Sequence, residues 1–268
     1  MKLAVVLFNL GGPDGPEAVE PFLRNLFSDP AIIRAPSFVR LPLARFIAGR
    51  RAPIAREIYG RIGGGSPILK ETEDQARALE AALQDGLPGA RVFIVMRYWH
   101  PRAAETVKAV KAFAPDRIVL LPLYPQYSTT TSASSLAEWA LAARDAGLAA
   151  PATTLCCYPS EPDFVAAHAD LLAEALARVP AGAMARVLFS AHGLPERVVK
   201  AGDPYQHQVE RSAAAVAAAL GARMPEWRVT YQSRVGPLKW IGPETSAEIE
   251  AAARAGLAVV VVPIAFVS

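Results

Sequence analysis

The sequence predicts an α/β chain built as two similar parallel-sheet halves. Short apolar runs alternate with helical patterns along the whole chain, the signature of βαβ units. The 268 residues, 52% of them apolar, suffice to bury a large core. Residues 147–151 read as a seam, with about three strands before them and four after, dividing the chain into 1–148 and 149–268. A cleft between the halves is the expected ligand site.

The first strand is placed at 3–10, where Leu3-Ala4-Val5-Val6-Leu7-Phe8 runs without a polar residue. Further strands are expected at 92–96, 118–123, 153–158, 187–190, 229–232 and 259–267. Between them, amphipathic or Ala-rich stretches predict helices over 70–84, 101–113, 132–146, 161–178, 205–220 and 243–255. Segment 31–65 breaks this rhythm. It holds Pro36, Pro42 and Pro53, scattered apolar residues such as Phe38 and Phe46, and arginines from Arg34 to Arg56. Apolar residues mixed with arginines read as a lid or lip, able to rest on a membrane or cover a flat apolar ligand; the competing reading is an irregular helical insertion.

Composition excludes several classes. Net charge is +3 and no Lys/Arg block occurs, which argues against a nucleic-acid partner. The two cysteines, Cys156 and Cys157, are adjacent. Neighbours in a strand point to opposite faces, so they pair poorly, and they are expected as small buried hydrophobes in a reducing compartment. The N-terminus runs straight into a strand, without the cleavage region of a signal peptide or the amphipathic helix of a transit peptide. No apolar run reaches the ~18 residues of a membrane span. The expected location is the cytoplasm.

The most informative motif is Ser190-Ala191-His192-Gly193-Leu194-Pro195, which follows a strand and opens a loop. His192 thus falls at a carboxyl strand end, where open α/β sheets bind ligands. An imidazole there can take a proton near neutral pH or bind a metal; the plainer reading is a histidine held in a turn. Asn9-Leu10-Gly11-Gly12-Pro13 follows the first strand, and Gly63-Gly64-Gly65-Ser66-Pro67 precedes a helix. The latter offers N–H groups and a hydroxyl to a carboxylate, or simply a turn with Ser66 as helix cap. Arg50-Arg51 and Tyr59 lie just upstream; alone they read as a solvated face, but beside the glycines they suit a ligand with a greasy body and acidic arms. Met96-Arg97-Tyr98 follows the second strand, Tyr124-Pro125-Gln126-Tyr127 the third, and Gln232-Ser233-Arg234, with Gly236 and Trp240, the sixth. Asn9, Arg97, Tyr124, His192 and Gln232 are therefore expected at one rim. His100 and His168 are weaker candidates, as is His207, for which Glu210 is the expected partner. No zinc motif, P-loop or nucleophile elbow is present.

Taken in order over nearly the whole chain, these seven motifs resemble those of the ferrochelatases. The resemblance implies two Rossmann-like chelatase domains, with 31–65 as pocket lip. It makes His192 the catalytic residue and metal ligand. It places Arg50, Arg51, Tyr59, Ser66, Arg97, Tyr98 and Trp240 at the porphyrin. It implies protoporphyrin IX and Fe²⁺ as substrates, with iron inserted to form protoheme, no resident cofactor, and peripheral membrane contact through 31–65. The family continues after the last strand with Asp-His-x-Glu-Thr-Leu, whose Glu faces the catalytic His. That Glu, and the [2Fe-2S] cluster of some members, would lie beyond Ser268, so further residues are expected there. A coproporphyrin or cobalt chelatase of the same group, and a non-catalytic tetrapyrrole carrier, stay open.

Overall fold

The structure, a computed structural model, describes residues 1–234 and 238–267. The α/β expectation is met by two parallel sheets flanked by helices. The chain forms two compact units, Met1–Leu123 with Thr129–Cys156, and Tyr124–Ser128 with Cys157–Val267.

In the first unit, strands β1 (Leu3–Asn9), β2 (Arg91–Met96), β3 (Arg117–Pro122) and β4 (Ala152–Thr154) form a sheet in the order β2-β1-β3-β4. The central β1 is buried on both faces, which is why it reads as a continuous apolar run. Val6 registers with Phe93 on one side and Leu120 on the other. Helices α1 (Val19–Phe27), α2 (Ser37–Gly60), α3 (Ile68–Gln84), α4 (Ala103–Phe113) and α5 (Ser132–Asp145) complete the unit. Ala76, Leu79 and Leu83 of α3 pack with Leu3, Val5 and Leu7. Trp139 of α5 meets Phe8 edge-on, with ring centroids 5.8 Å apart.

The expected division at 148/149 shifts. Pairing of Ile118 with Ala152 adds β4 to the first sheet, and Leu155 N–H donates to the Leu120 carbonyl at 3.0 Å, so the units part after Cys156. The apolar pattern marks a strand but not the sheet it joins. The strand expected at 153–158 is correspondingly short. Cys156, beyond its end, is exposed and Cys157 half-buried, so neither is the buried hydrophobe expected.

The second unit holds α6 (Pro162–Ala177), β5 (Ala185–His192), α7 (Glu196–Lys200), α8 (Tyr205–Leu220), β6 (Glu226–Gln232), α9 (Thr245–Arg254) and β7 (Ala258–Val262), with sheet order β6-β5-β7. Helix α8 turns Tyr205, Val209, Ser212, Ala213 and Val216 inward at helical spacing against Phe189, Tyr231 and Ile264. The Tyr124–Ser128 link is built into this unit. Gln126 is 1% exposed; its Nε2 donates to Ser212 Oγ at 2.8 Å and to the Ile264 carbonyl at 3.2 Å. Tyr127 N–H donates to Gln208 Oε1 at 2.7 Å, and Ser128 Oγ to Asp203 Oδ2 at 3.0 Å. Tyr124, expected at an open rim, is buried.

The lip segment is mostly one helix. α2 runs unbroken for 24 residues despite Pro42 and Pro53, and its buried residues are Ala44, Ala48 and Ala52, a single i, i+4 stripe. Most of its larger apolar side chains face solvent, with Phe38 78%, Phe46 63% and Ile54 64% exposed, while Ile47 is half-buried. Its basic residues Arg40, Arg45, Arg50, Arg51 and Arg56 are opposed on the helix by Glu57 alone.

Candidate active site

The first unit presents two glycine loops that lock together. Ser66 N–H donates to the Pro13 carbonyl at 2.7 Å, and Ser66 Oγ accepts the Ile68 N–H at 3.3 Å to begin α3. A side chain at Gly12 would place its Cβ 2.5 Å from Ser66 Cβ and 2.6 Å from its hydroxyl, so only glycine allows this approach. Tyr59, at the end of α2, is half-buried, and desolvation raises its pKa. Its carbonyl accepts the Gly64 N–H at 2.8 Å. α2 and the glycine loop are thus joined directly.

The paired arginines diverge, as neighbours on a helix must. The Arg50 guanidinium lies over the Phe46 ring at 5.8 Å and that of Arg51 over the Phe27 ring at 5.9 Å. Both residues are exposed. A groove of about 540 Å³ is lined by Glu20, Pro42, Arg45, Phe46, Gly49 and Arg50.

Arg97 and Tyr98, which the resemblance places at the porphyrin, turn inward and are engaged by Asp29. Asp29, 4% exposed, collects them. Its Oδ2 accepts from Arg97 Nη2, Tyr98 Oη and Ser134 Oγ, each at 2.7 Å, and its Oδ1 from Ala31 N–H at 2.8 Å. Arg97 Nη1 also meets Glu138 Oε2 at 3.0 Å, and Glu138 binds Arg102 in turn. Burial alone would raise the Asp29 pKa; the hydrogen bonds from Ala31, Tyr98 and Ser134 and the Arg97 charge outweigh it, and the carboxyl lies below its usual range. A buried guanidinium needs carboxylate partners, which explains why this arginine is not free for a ligand. Asn9 is likewise committed: its Nδ2 donates to Thr72 Oγ1 at 3.0 Å and its Oδ1 accepts Leu10 N–H. Sequence reasoning missed Asp29, Ser134 and Glu138, whose contacts to Arg97 and to one another span up to 105 residues.

In the second unit, His192 ends β5 opposite Gln232 of β6. It is exposed to solvent, yet desolvation by the protein around its ring lowers its pKa from the usual 6.5. The loop it opens is zipped to residues 239–241. Gly193 N–H donates to the Gln232 carbonyl at 2.8 Å, Ile241 N–H to Leu194 at 3.0 Å, and Glu196 N–H to Lys239 at 2.9 Å. Trp240 bridges to Pro195, and its ring edge would lie 3.3 Å from a Cβ at Gly193. Behind this loop, Thr245 donates to Thr230 and pairs with Ser190, each at 3.0 Å. Buried Tyr205 takes a hydrogen bond from the His192 backbone. Thus a strand end, a glycine turn and a tryptophan brace fix the backbone that carries His192. Arg234 contacts the Ile241 carbonyl and Glu244; Gly236 lies outside the described residues.

Two of the other histidines have ordinary partners. His100 pairs with Glu105, and His168 Nδ1 donates to the Phe164 carbonyl. Glu210, expected beside His207, is taken by Gln206. Among the described residues, no group of three or more His, Cys, Asp or Glu gathers to hold a metal.

Two parallel sheets flanked by helices, with His192 at a carboxyl strand end, define the chain as an α/β protein with a candidate site at that rim. A sequence profile of the ferrochelatases matches residues 2–268, and the chain belongs to the ferrochelatase family, porphyrin metal chelatases of heme biosynthesis. A ferrochelatase of Caulobacter vibrioides is 58% identical over 269 residues, covering all of this chain and 76% of the relative. One from Phenylobacterium zucineum is 57% identical, covering all of this chain and 78% of the relative. One from Pelagibacter ubique is 48% identical with the same coverage. Among solved structures, the cobalt-bound sirohydrochlorin chelatase SirB of Bacillus subtilis subspecies spizizenii aligns with a TM-score of 0.45 at 11% identity, covering 99% of this chain and 89% of its own. A likeness of that size carries no argument.

Proposed function

We propose that this chain inserts Fe²⁺ into protoporphyrin IX to give protoheme, with His192 as the residue that handles the pyrrole protons and the entering metal. Family membership supports the reaction. The observation that carries the residue assignment is His192 itself, an accessible, desolvated imidazole at a braced strand end. Insertion removes two pyrrole protons and seats one Fe²⁺, so two protons leave for each iron bound. Both roles, base and ligand, require the neutral imidazole, and the lowered pKa keeps it neutral. Imidazole suits Fe²⁺ as a borderline ligand. Iron is the substrate, and the reaction needs no resident cofactor.

The exposed guanidiniums of Arg50 and Arg51 are suited to the propionates, and Tyr59 and Ser66, beside the glycine loop, to the same end of the ligand. Trp240 offers an aromatic wall near His192. Binding energy at the periphery is then available to distort the ring and expose its nitrogen lone pairs. No helix among the described residues is long and apolar enough to cross a membrane. The exposed apolar and arginine side chains of α2 support peripheral contact with an anionic bilayer instead.

The test is anaerobic metal insertion, followed as loss of free-porphyrin fluorescence with Fe²⁺ or Zn²⁺. The expected result is turnover that falls on the order of a hundredfold or more in His192→Ala. Faster turnover on a four-carboxylate porphyrin than on protoporphyrin would reassign the substrate to coproporphyrin. Saturable porphyrin binding without insertion would make the chain a carrier.

A further inference from the structure

We propose that Asp29 is a positioning residue for porphyrin binding: it moors the segment entering α2 and so sets where Arg50 and Arg51 stand. This rests on the reading of α2 as the porphyrin-binding helix.

The segment from Asp29 into α2 buries little apolar surface, with Ile32, Phe38 and Val39 all exposed. Hydrophobic packing therefore does little to hold it, and hydrogen bonds must. They converge on Ser28 and Asp29. The Asp29 carboxylate accepts Ala31 N–H, and its carbonyl accepts Ile32 N–H at 3.0 Å and Ile33 N–H at 2.9 Å. The Ser28 carbonyl accepts Arg40 Nε at 2.9 Å, tying the first turns of α2 to the same point. Asp29 is in turn pinned by Arg97, Tyr98 and Ser134, which stand just after β2 and in α5.

Farther along, α2 is held by other means: its stripe of Ala44, Ala48 and Ala52 is buried, the helix packs along α1, and Arg56 Nε donates to the Pro16 carbonyl at 3.0 Å. Its first turns hang on Ser28 and Asp29. Phe27, two residues before Asp29, carries the Arg51 guanidinium on its ring. A displacement of Asp29 therefore passes to Arg51 through one ring and to the start of α2 through Arg40. A buried carboxylate–guanidinium cluster costs desolvation that an apolar core would avoid, and fixing one geometry is the gain it offers in return.

The test compares the full chain with Asp29→Asn and with the double variant Asp29→Leu/Arg97→Met, which removes the ion pair without stranding a charge. KM and kcat are measured with protoporphyrin and Zn²⁺, and trypsin cleavage after Arg34 and Arg40 is followed with and without porphyrin. Both variants are expected to raise the porphyrin KM on the order of tenfold while kcat stays within about twofold. Cleavage should speed up, and saturating protoporphyrin should slow it again. A folded double variant with unchanged KM overturns the proposal, as does a fall in kcat at unchanged KM. If Asp29→Asn does not fold, the double variant decides. A wild-type chain that binds no protoporphyrin would instead overturn the functional reading on which the proposal stands.

Discussion

His192 is exposed to solvent, yet the protein around its ring disfavours the charged imidazole. Desolvation lowers its pKa from 6.5, so its neutral form persists to lower pH than that of a free histidine. The acidic limb of the insertion rate is therefore expected to have its midpoint below pH 6.5, checked by a kcat/KM–pH profile; a midpoint above 6.5 would contradict the assignment. The stability sign follows. The unfolded chain binds this proton more readily, so the contribution of neutral His192 is complete above pH 6.5 and is lost as pH falls from there through the folded value. Gly12 is the second decisive residue. In Gly12→Ala the new Cβ would stand 2.5 Å from Ser66 Cβ, so the loop must shift. The expected cost is about 1–3 kcal/mol of stability, measured by urea unfolding, together with weaker porphyrin binding.

At the scale of elements, α2 explains why composition alone left its segment ambiguous. The helix buries one alanine stripe, so apolar residues fall on its exposed side as well and no clean amphipathic period emerges. Pro42 and Pro53 each remove one N–H donor and argue locally against a helix, yet it runs through both. Its surface makes a concrete expectation. The chain should co-sediment with vesicles containing phosphatidylserine more strongly than with neutral ones, and the excess should fade with salt. The double substitution Phe38→Glu/Phe46→Glu should reduce that binding several-fold while far-UV circular dichroism stays unchanged, since both side chains are more than half exposed. Equal binding to neutral and anionic vesicles would remove the arginines from the account.

At the scale of the molecule, the two units do not follow the chain in one cut. The five residues Tyr124–Ser128 are packed with the second unit although β3 precedes them and α5 follows them in the first. Gln126 fills a buried site there and bonds Ser212 and the Ile264 carbonyl. Gln126→Ala is expected to destabilise the protein by about 1–3 kcal/mol, because it leaves buried polar partners unmatched and a void behind; thermal or urea unfolding checks it. A loss confined to the second unit would appear as a separate transition.

The sequence by itself determined the alternation of strands and helices, the place of His192 after a strand, the glycine loops and the family. These are properties of local pattern: an apolar run long enough for a strand, a glycine or proline that ends it, and motifs in a fixed order. The tertiary structure decided what those residues do once folded. It turned Arg97 and Tyr98 toward Asp29, drew Gln126 into the second core, assigned β4 to the first sheet and left Cys156 exposed. The physical reason is range. A charge or a strand edge finds its partner by proximity in space, and a carboxylate 68 residues from its arginine leaves no periodic trace in the chain.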